Sequence, residues 1–249
     1  MAAHGKQHQL RPPKDLPLIP WTNKELEGLR ERGEDIQLLF EAPGLTMQEL
    51  VVARDNQATD GGKLLYAIDW YQKEVFYTAA PTAKDWRWRL AGNTILPDST
   101  SQDYLGQTAI IAAHLKAVVF RGRKLPLVYR RAIAEFKTKR AAIAKLIGSD
   151  QETEWKKGAK QCATLKLNQL CRETAVELLY RLITYEAVNG ERLLQNYWHW
   201  TPTLSSYGEL IRAGDFDRNG VFVGGWDPED SRASLGVVLS RRGEVESEK

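Results

Sequence analysis

The sequence predicts an α+β protein, with short strands toward both ends of the chain around a helical centre. Three observations lead there. Between Asp103 and Val188 the apolar residues recur at helical spacing. Before that stretch, and again after Gly190, the apolar runs are short and broken by Gly, Asn, Asp and Pro. Strands early, helices in the middle and strands late let the two chain ends share a sheet.

Residues 1–20 are polar and Pro-rich and read as a mobile arm that docks through Leu16, Leu18, Ile19 and Trp21. The arm lacks the apolar core of a signal peptide, so export by that route is not expected. Thr22-Asn-Lys-Glu25 and Thr46-Met-Gln-Glu49 each fit a capping box, in which a Thr hydroxyl and a Glu three residues on satisfy each other's free amides. They predict short helices near 23–32 and 47–54. Asp60-Gly-Gly62 is a turn. Lys63–Ile68, Glu74–Thr78 and Asp85–Leu90 read as strands, the last alternating Trp86 and Trp88 with arginines. Helices follow over 103–119, 126–147 and, as one long element, 154–188, with Gly190 as a natural stop. Glu209–Ala213 and Val221–Val223 are expected strands joined through the tight-turn dipeptide Asn219-Gly220, and Leu235–Leu239 is a last strand. The chain thus divides into the arm, one α+β domain at 21–242 with its helical segment near 103–190, and a charged tail at 243–249.

A hydrophobic content of 43% with 27% charged residues describes a globular chain. Its longest apolar runs, such as Ala109–Ala113, are too short to span a bilayer, and no membrane partner is expected. The net charge of +3 is unevenly spread. Lys116 to Arg172 holds 15 Lys and Arg against 4 Asp and Glu, a local +11; the remainder, with 20 against 28, carries −8. Arg121, Arg123, Lys124, Arg130, Arg131, Lys137, Lys139 and Arg140 form its densest part. Such a cluster can contact phosphates, which makes a nucleic-acid-associated protein the alternative function. The plain reading is a solvated helical surface.

Catalytic machinery is sparse. No phosphate-binding loop, dinucleotide fingerprint, zinc-protease motif or nucleophile elbow occurs, so a non-enzymatic protein without cofactor is expected. His4 and His8 lie in the arm, and His114 reads as a packed or surface residue. His199, between Trp198 and Trp200, favours ligand contact. Cys162 and Cys171, nine residues apart on one predicted helix, face opposite ways and read as buried thiols. Asp215-Phe-Asp217-Arg-Asn219-Gly220 matches the opening of a calcium loop, but Trp226 stands where the bidentate Glu is needed. A hairpin turn is therefore preferred to a metal site there.

From Tyr197 to Arg242 the composition shifts. This segment is rich in aromatics, Gly, Ser, Asp and Arg, and contains no Lys, Gln or Met, although the rest of the chain holds 16 Lys, 12 Gln and 2 Met. Rigid Tyr and Trp side chains give large contact area at low rotamer cost, as a recognition surface requires.

Within it, Trp198-His-Trp-Thr201, Gly220-Val-Phe-Val223, Trp226-Asp-Pro228 and Leu235-Gly-Val-Val-Leu-Ser-Arg241 resemble the end of diversity-generating retroelement variable proteins. Trp86-Arg-Trp-Arg-Leu90 is similar to a segment of related lectin-like domains. The resemblance implies a C-type lectin-like fold with a helical insertion in the middle of the chain. It also implies a ligand- or protein-binding function, with a C-terminal surface altered by mutagenesis of adenines, usually in AAC codons. Such codons cannot yield Trp, Lys, Gln, Glu or Met. Trp198, Trp200, Glu209, Trp226 and Glu229 are then scaffold, and the varied ligand-binding positions are Tyr197, His199, Tyr207, Val223, Gly225, Asp227, Asp230, Ala233 and Ser234.

Overall fold

Thr22 and Thr46 both cap helices in the computed structural model, which describes residues 13–242. They start α1 (Asn23–Glu31) and α2 (Met47–Val52), and the Glu25 and Glu49 carboxylates accept the Thr22 and Thr46 amides at 2.9 and 2.8 Å. Between them runs β1 (Ile36–Glu41), a strand the sequence reading missed. It pairs antiparallel with β2 (Arg87–Gly92), which pairs in turn with β7 (Ser240–Arg242). The two chain ends therefore do share a sheet, of order β1-β2-β7.

Two expected strands do not form. Lys63–Ile68 makes only single bridges, Gln57 to Lys63 and Leu65 to Val221. Glu74–Thr78 instead coils into α3 (Val75–Thr78). Its neighbours Phe76 and Tyr77 are both buried in the same core cluster, and consecutive strand residues would have pointed to opposite faces. Packing here overrides β-propensity.

The helical centre consists of α4 (Tyr104–His114), a π-helical turn (Leu115–Val119), α5 (Leu127–Ile147), α6 (Glu152–Thr164), α7 (Lys166–Cys171) and α8 (Ala175–Asn189). The single helix expected over 154–188 is thus three. The chain leaves helical geometry at Leu165 (ψ 128°) and Arg172 (ψ 153°), and a third capping box at Thr174 and Glu177 starts α8. Apolar spacing persisted across these breaks because every piece presents an apolar face to the interior. Cys162 and Cys171 consequently sit on different helices, both buried, and burial pushes the Cys162 thiol up to about 12. Gly190 ends α8 with φ +69°.

A second sheet holds β3 (Trp198–Leu204), β4 (Leu210–Asp217), β5 (Gly220–Trp226) and β6 (Leu235–Gly236), in the order β5-β4-β3-β6. The last expected strand, 235–239, is split. Its start lies parallel to β3, and the chain then crosses to the first sheet as β7.

Two apolar clusters fill the interior, one mainly between α1, β2, α4–α7 and Trp200, the other between α2, α3, α8 and β4–β5. A network of ion pairs runs through the first sheet and across to α8 and the residue before its cap, Glu173. Arg89 donates to Glu173 at 2.6 Å, Arg181 to Glu173 at 2.8 Å, Arg87 to Glu41 at 2.7 Å and Arg242 to Glu177 at 3.0 Å. The fold is a mixed α+β arrangement with two sheets.

The arm docks differently from expectation. The Trp88 indole donates to the Pro17 carbonyl at 2.7 Å, whereas Leu16, Leu18 and Ile19 remain exposed; Trp21 alone of the four packs on the core. The expected mobility of the arm's start (residues 1–12, with His4 and His8) and the charged tail at 243–249 fall outside the described residues.

Candidate ligand-binding face

Strand parity organises this region, because successive side chains point to opposite faces of a sheet. The register sets Trp198 opposite Gly214, Trp200 opposite Arg212, Arg212 opposite Gly224, Gly214 opposite Phe222 and Leu210 opposite Trp226. Trp198, Trp200, Arg212, Phe222 and Trp226 therefore share one face. His199, Ile211, Ala213, Val223 and Gly225 share the other.

On the first face Trp200 is fully buried, its ring centre 5.9 Å from that of Tyr104. Trp198, Phe222 and Trp226 are only half-buried. They form a strip with a guanidinium at its centre. The Arg212 guanidinium carbon lies 3.8 Å from the Trp198 ring centre and 3.5 Å from that of Trp226. Arg232 stacks on Trp226 at 4.0 Å, Phe222 meets Trp198 edge-on at 4.7 Å, and Tyr66 stacks on Phe222 at 5.2 Å. Gly224 lies directly opposite Arg212, and Gly214, opposite Trp198, lets the β3 backbone come close.

Arg212 is only 5% exposed, yet its Nε is buried with no hydrogen-bond partner. Among the described residues no acid forms an ion pair with it. Burial pulls its pKa down to about 10, with Arg232 adding to the fall while Asp230 and Asp215 oppose it. It stays cationic at neutral pH.

The loop from Asp227 to Ser234 runs beside this strip from the end of β5 to the start of β6 and is held by its own backbone. The Asp227 carboxylate accepts the Glu229 amide at 3.2 Å, and its carbonyl accepts the Asp230 amide at 3.0 Å. The carbonyls of Arg232 and Ser234 accept the amides of Ser101 and Trp198 at 2.8 and 2.7 Å. Ala233 is exposed, and Asp227, Asp230 and Ser234 are half-buried. Tyr197 and Tyr207, both exposed, stand at opposite ends of the sheet, Tyr207 with the Lys156 ammonium 3.4 Å from its ring centre.

Two predicted ligand-binding positions must be corrected. His199 is fully buried, and its Nδ1 accepts the Val238 amide at 3.0 Å. Burial, with Arg172 and Arg181 nearby, drives its pKa well below the usual value, so it is a neutral core residue. Val223 is likewise interior, in the cluster with Ile211, Ala213 and Val221. Both fail for one reason: their side of the sheet is packed against α8 and the interior. Gly225 has the same parity but lies at the partly exposed end of β5, where an added Cβ first meets the flexible Glu209 side chain. The central Arg212 was missed. The alternation of Arg212 with buried Ile211 and Ala213 was the signal that could have found it.

Asp215, Asp217 and Asn219 lie around the β4–β5 hairpin. Both Asp217 oxygens accept from Asn219, at 2.7 and 2.9 Å, which is the turn chemistry expected from the sequence. The basic cluster is exposed on α5 and the turn before it. Arg123 pairs with Glu25, Lys139 with Glu135, and Arg140 lies over Phe136. Lys116, Arg130 and Lys137 line a cleft of about 320 Å³ floored by Leu125, Ile133 and Ala134. Arg172, counted in the basic segment, is interior and donates to the Trp200 and Tyr104 carbonyls.

Fold and site together define a mixed α+β protein with an aromatic–arginine strip on one sheet face. No family model, curated protein or solved structure matches the chain. No helix among the described residues is long and apolar enough to cross a membrane.

Proposed function

We propose that this chain is a non-enzymatic binding protein on a C-type lectin-like frame, and that the strip around Arg212 is its ligand face. The rim of that face is diversified by retroelement mutagenesis of adenines. The observation that carries the reading is the division of the C-terminal segment into a closed frame and an open rim. Trp200, His199, Ile211, Ala213 and Val223 are sealed in the interior, while around the sheet Tyr197, Tyr207 and Ala233 are exposed and Asp227, Asp230 and Ser234 are partly exposed. Changes at such rim positions typically shift stability by no more than about 0.5 kcal/mol, so they can vary without unfolding the frame. The shared sheet of the chain ends and the absence of Lys, Gln and Met from 197–242 support the same reading.

Sequencing the locus in many sibling genomes tests it. Substitutions should concentrate at the six rim positions, spare His199 and Val223, and accompany a nearby reverse transcriptase and template repeat. Drift spread evenly over the chain ends the proposal. A second reading, nucleic-acid contact through Arg121, Arg123, Lys124, Arg130, Arg131, Lys139 and Arg140, draws support from the exposure of all seven. It requires generic DNA or RNA binding that weakens with salt and disappears on charge reversal of Arg130 and Arg131.

A further inference from the structure

A buried cation without a partner is costly, and proteins keep one where something else completes it. Arg212 is such a group at its inner edge, where Nε is sealed, while its terminal nitrogens keep contact with solvent. Its guanidinium is held between two indoles, its Nε donates to nothing, and it forms no hydrogen bond among the described residues. The carboxylates closest to it in charge are engaged elsewhere or stand off. Asp230 sits 3.7 Å from Arg232, Asp227 accepts the Glu229 amide, and Asp215 lies exposed on a bulge of β4 that turns it away from the ladder. Phe222 and Trp198 add apolar surface on one side of the guanidinium, and Trp226 on the other.

We propose that Arg212 is a constant anion anchor at the centre of the varied rim, and that it takes a carboxylate carried by the ligand. The proposal rests on the binding reading above and adds the ligand's chemical class. A carboxylate is favoured over a phosphate by shape. With ring centres at 3.8 and 3.5 Å on its two sides, the guanidinium lies in a slot, and a planar group bonded to its edge continues that plane. A tetrahedral phosphate meets the flanking rings. The rim residues then choose among carboxylate-bearing ligands, while Arg212, Trp198 and Trp226 supply the part common to all.

The test follows the Nε–Hε resonance of Arg212 in the full chain, labelled with 15N-arginine. The two indoles shift this resonance upfield, which identifies it beside its loss in Arg212→Lys. Three probes are titrated at constant ionic strength: benzoate, methyl phosphate, and a short peptide with one Glu between leucines, each against chloride. Benzoate or the Glu peptide should give a saturable shift, with a Kd on the order of 1–10 mM for a single charge-assisted contact. Which of the two binds tells a small acid from a protein side chain. Methyl phosphate should bind more weakly than benzoate, because its tetrahedral oxygens meet the flanking rings. Intact resonances of the buried Arg89, Arg172 and Arg181 report that Arg212→Lys is folded; should it unfold, the ring-current shift alone identifies the signal in the native chain. Absence of a saturable response to either carboxylate, or methyl phosphate binding as well as benzoate, overturns the anchor. Neither result touches the diversification reading, which the sibling sequences decide.

Discussion

The guanidinium of Arg212 lies 3.5 Å from the centre of the Trp226 ring, and among the described residues no acid forms an ion pair with it. A charge held this way contributes little to the fold, because its desolvation opposes its contacts with the indoles. Arg212→Met keeps a long apolar stem in the slot and removes the charge. It should unfold at equal or higher urea concentration, with a gain of up to about 1 kcal/mol, while losing the carboxylate response. A marked loss of stability would show that the cation serves the frame and not a ligand.

His199 should make the fold acid-sensitive. Its folded-state pKa lies below its unfolded value near 6.5, so the unfolded chain binds the additional proton as pH falls. The stability it contributes is fully present above that unfolded value and declines below it, by about 1.4 kcal/mol per pH unit until the folded value is reached. Melting temperatures measured between about pH 7.5 and 5 should fall for the native chain and flatten in His199→Asn, whose Oδ1 can still accept from Val238 in place of Nδ1.

Glu177 anchors three arginines. Burial pushes its carboxyl up, but Arg89, Arg242 and Arg87 outweigh that and hold its pKa low. The folded value is below the unfolded one, so this stability is present above the unfolded pKa and lost as pH drops through the folded one. Glu177→Gln takes the carboxylate from the partly exposed Arg242 and weakens the Arg87 pair, while Arg89 keeps Glu41 and Glu173, and should cost about 1–3 kcal/mol in urea unfolding at neutral pH. An unchanged midpoint would mean that the remaining acids, Glu41 and Glu173, already suffice.

Gly214 has φ +151°, and a Cβ added there would stand 2.1 Å from the Tyr197 carbonyl oxygen. The glycine lets β4 lie close against β3 where Trp198 folds toward Arg212. Gly214→Ala should destabilise the chain by about 2–4 kcal/mol and disturb the Trp198 near-UV dichroism. Gly33, with nothing within 4 Å of its added Cβ, is the control for backbone strain alone.

Local signals were legible where one residue pair decides the outcome. Thr22 with Glu25 and Thr46 with Glu49 mark their helix starts, Asn219-Gly220 marks its turn, and Gly190 marks a helix end, since each satisfies or releases backbone within a few residues. Glu74–Thr78 was misread because Val, Phe and Tyr suit a strand until tertiary contacts need Phe76 and Tyr77 on one side. The breaks at Leu165 and Arg172 were hidden because apolar spacing continues across them.

The sequence alone determined the class of the fold, the meeting of its two ends in one sheet and the segment in which the candidate face lies, because composition and periodicity report which stretches bury an apolar side. Only the tertiary structure decided which side of that segment is open. A strand's alternation shows that two faces exist, but packing decided how far each is closed: α8 on one of them sealed His199 and Val223 inside, while on the other Trp200 and Leu210 are buried and Trp198 and Trp226 stay partly exposed beside Arg212.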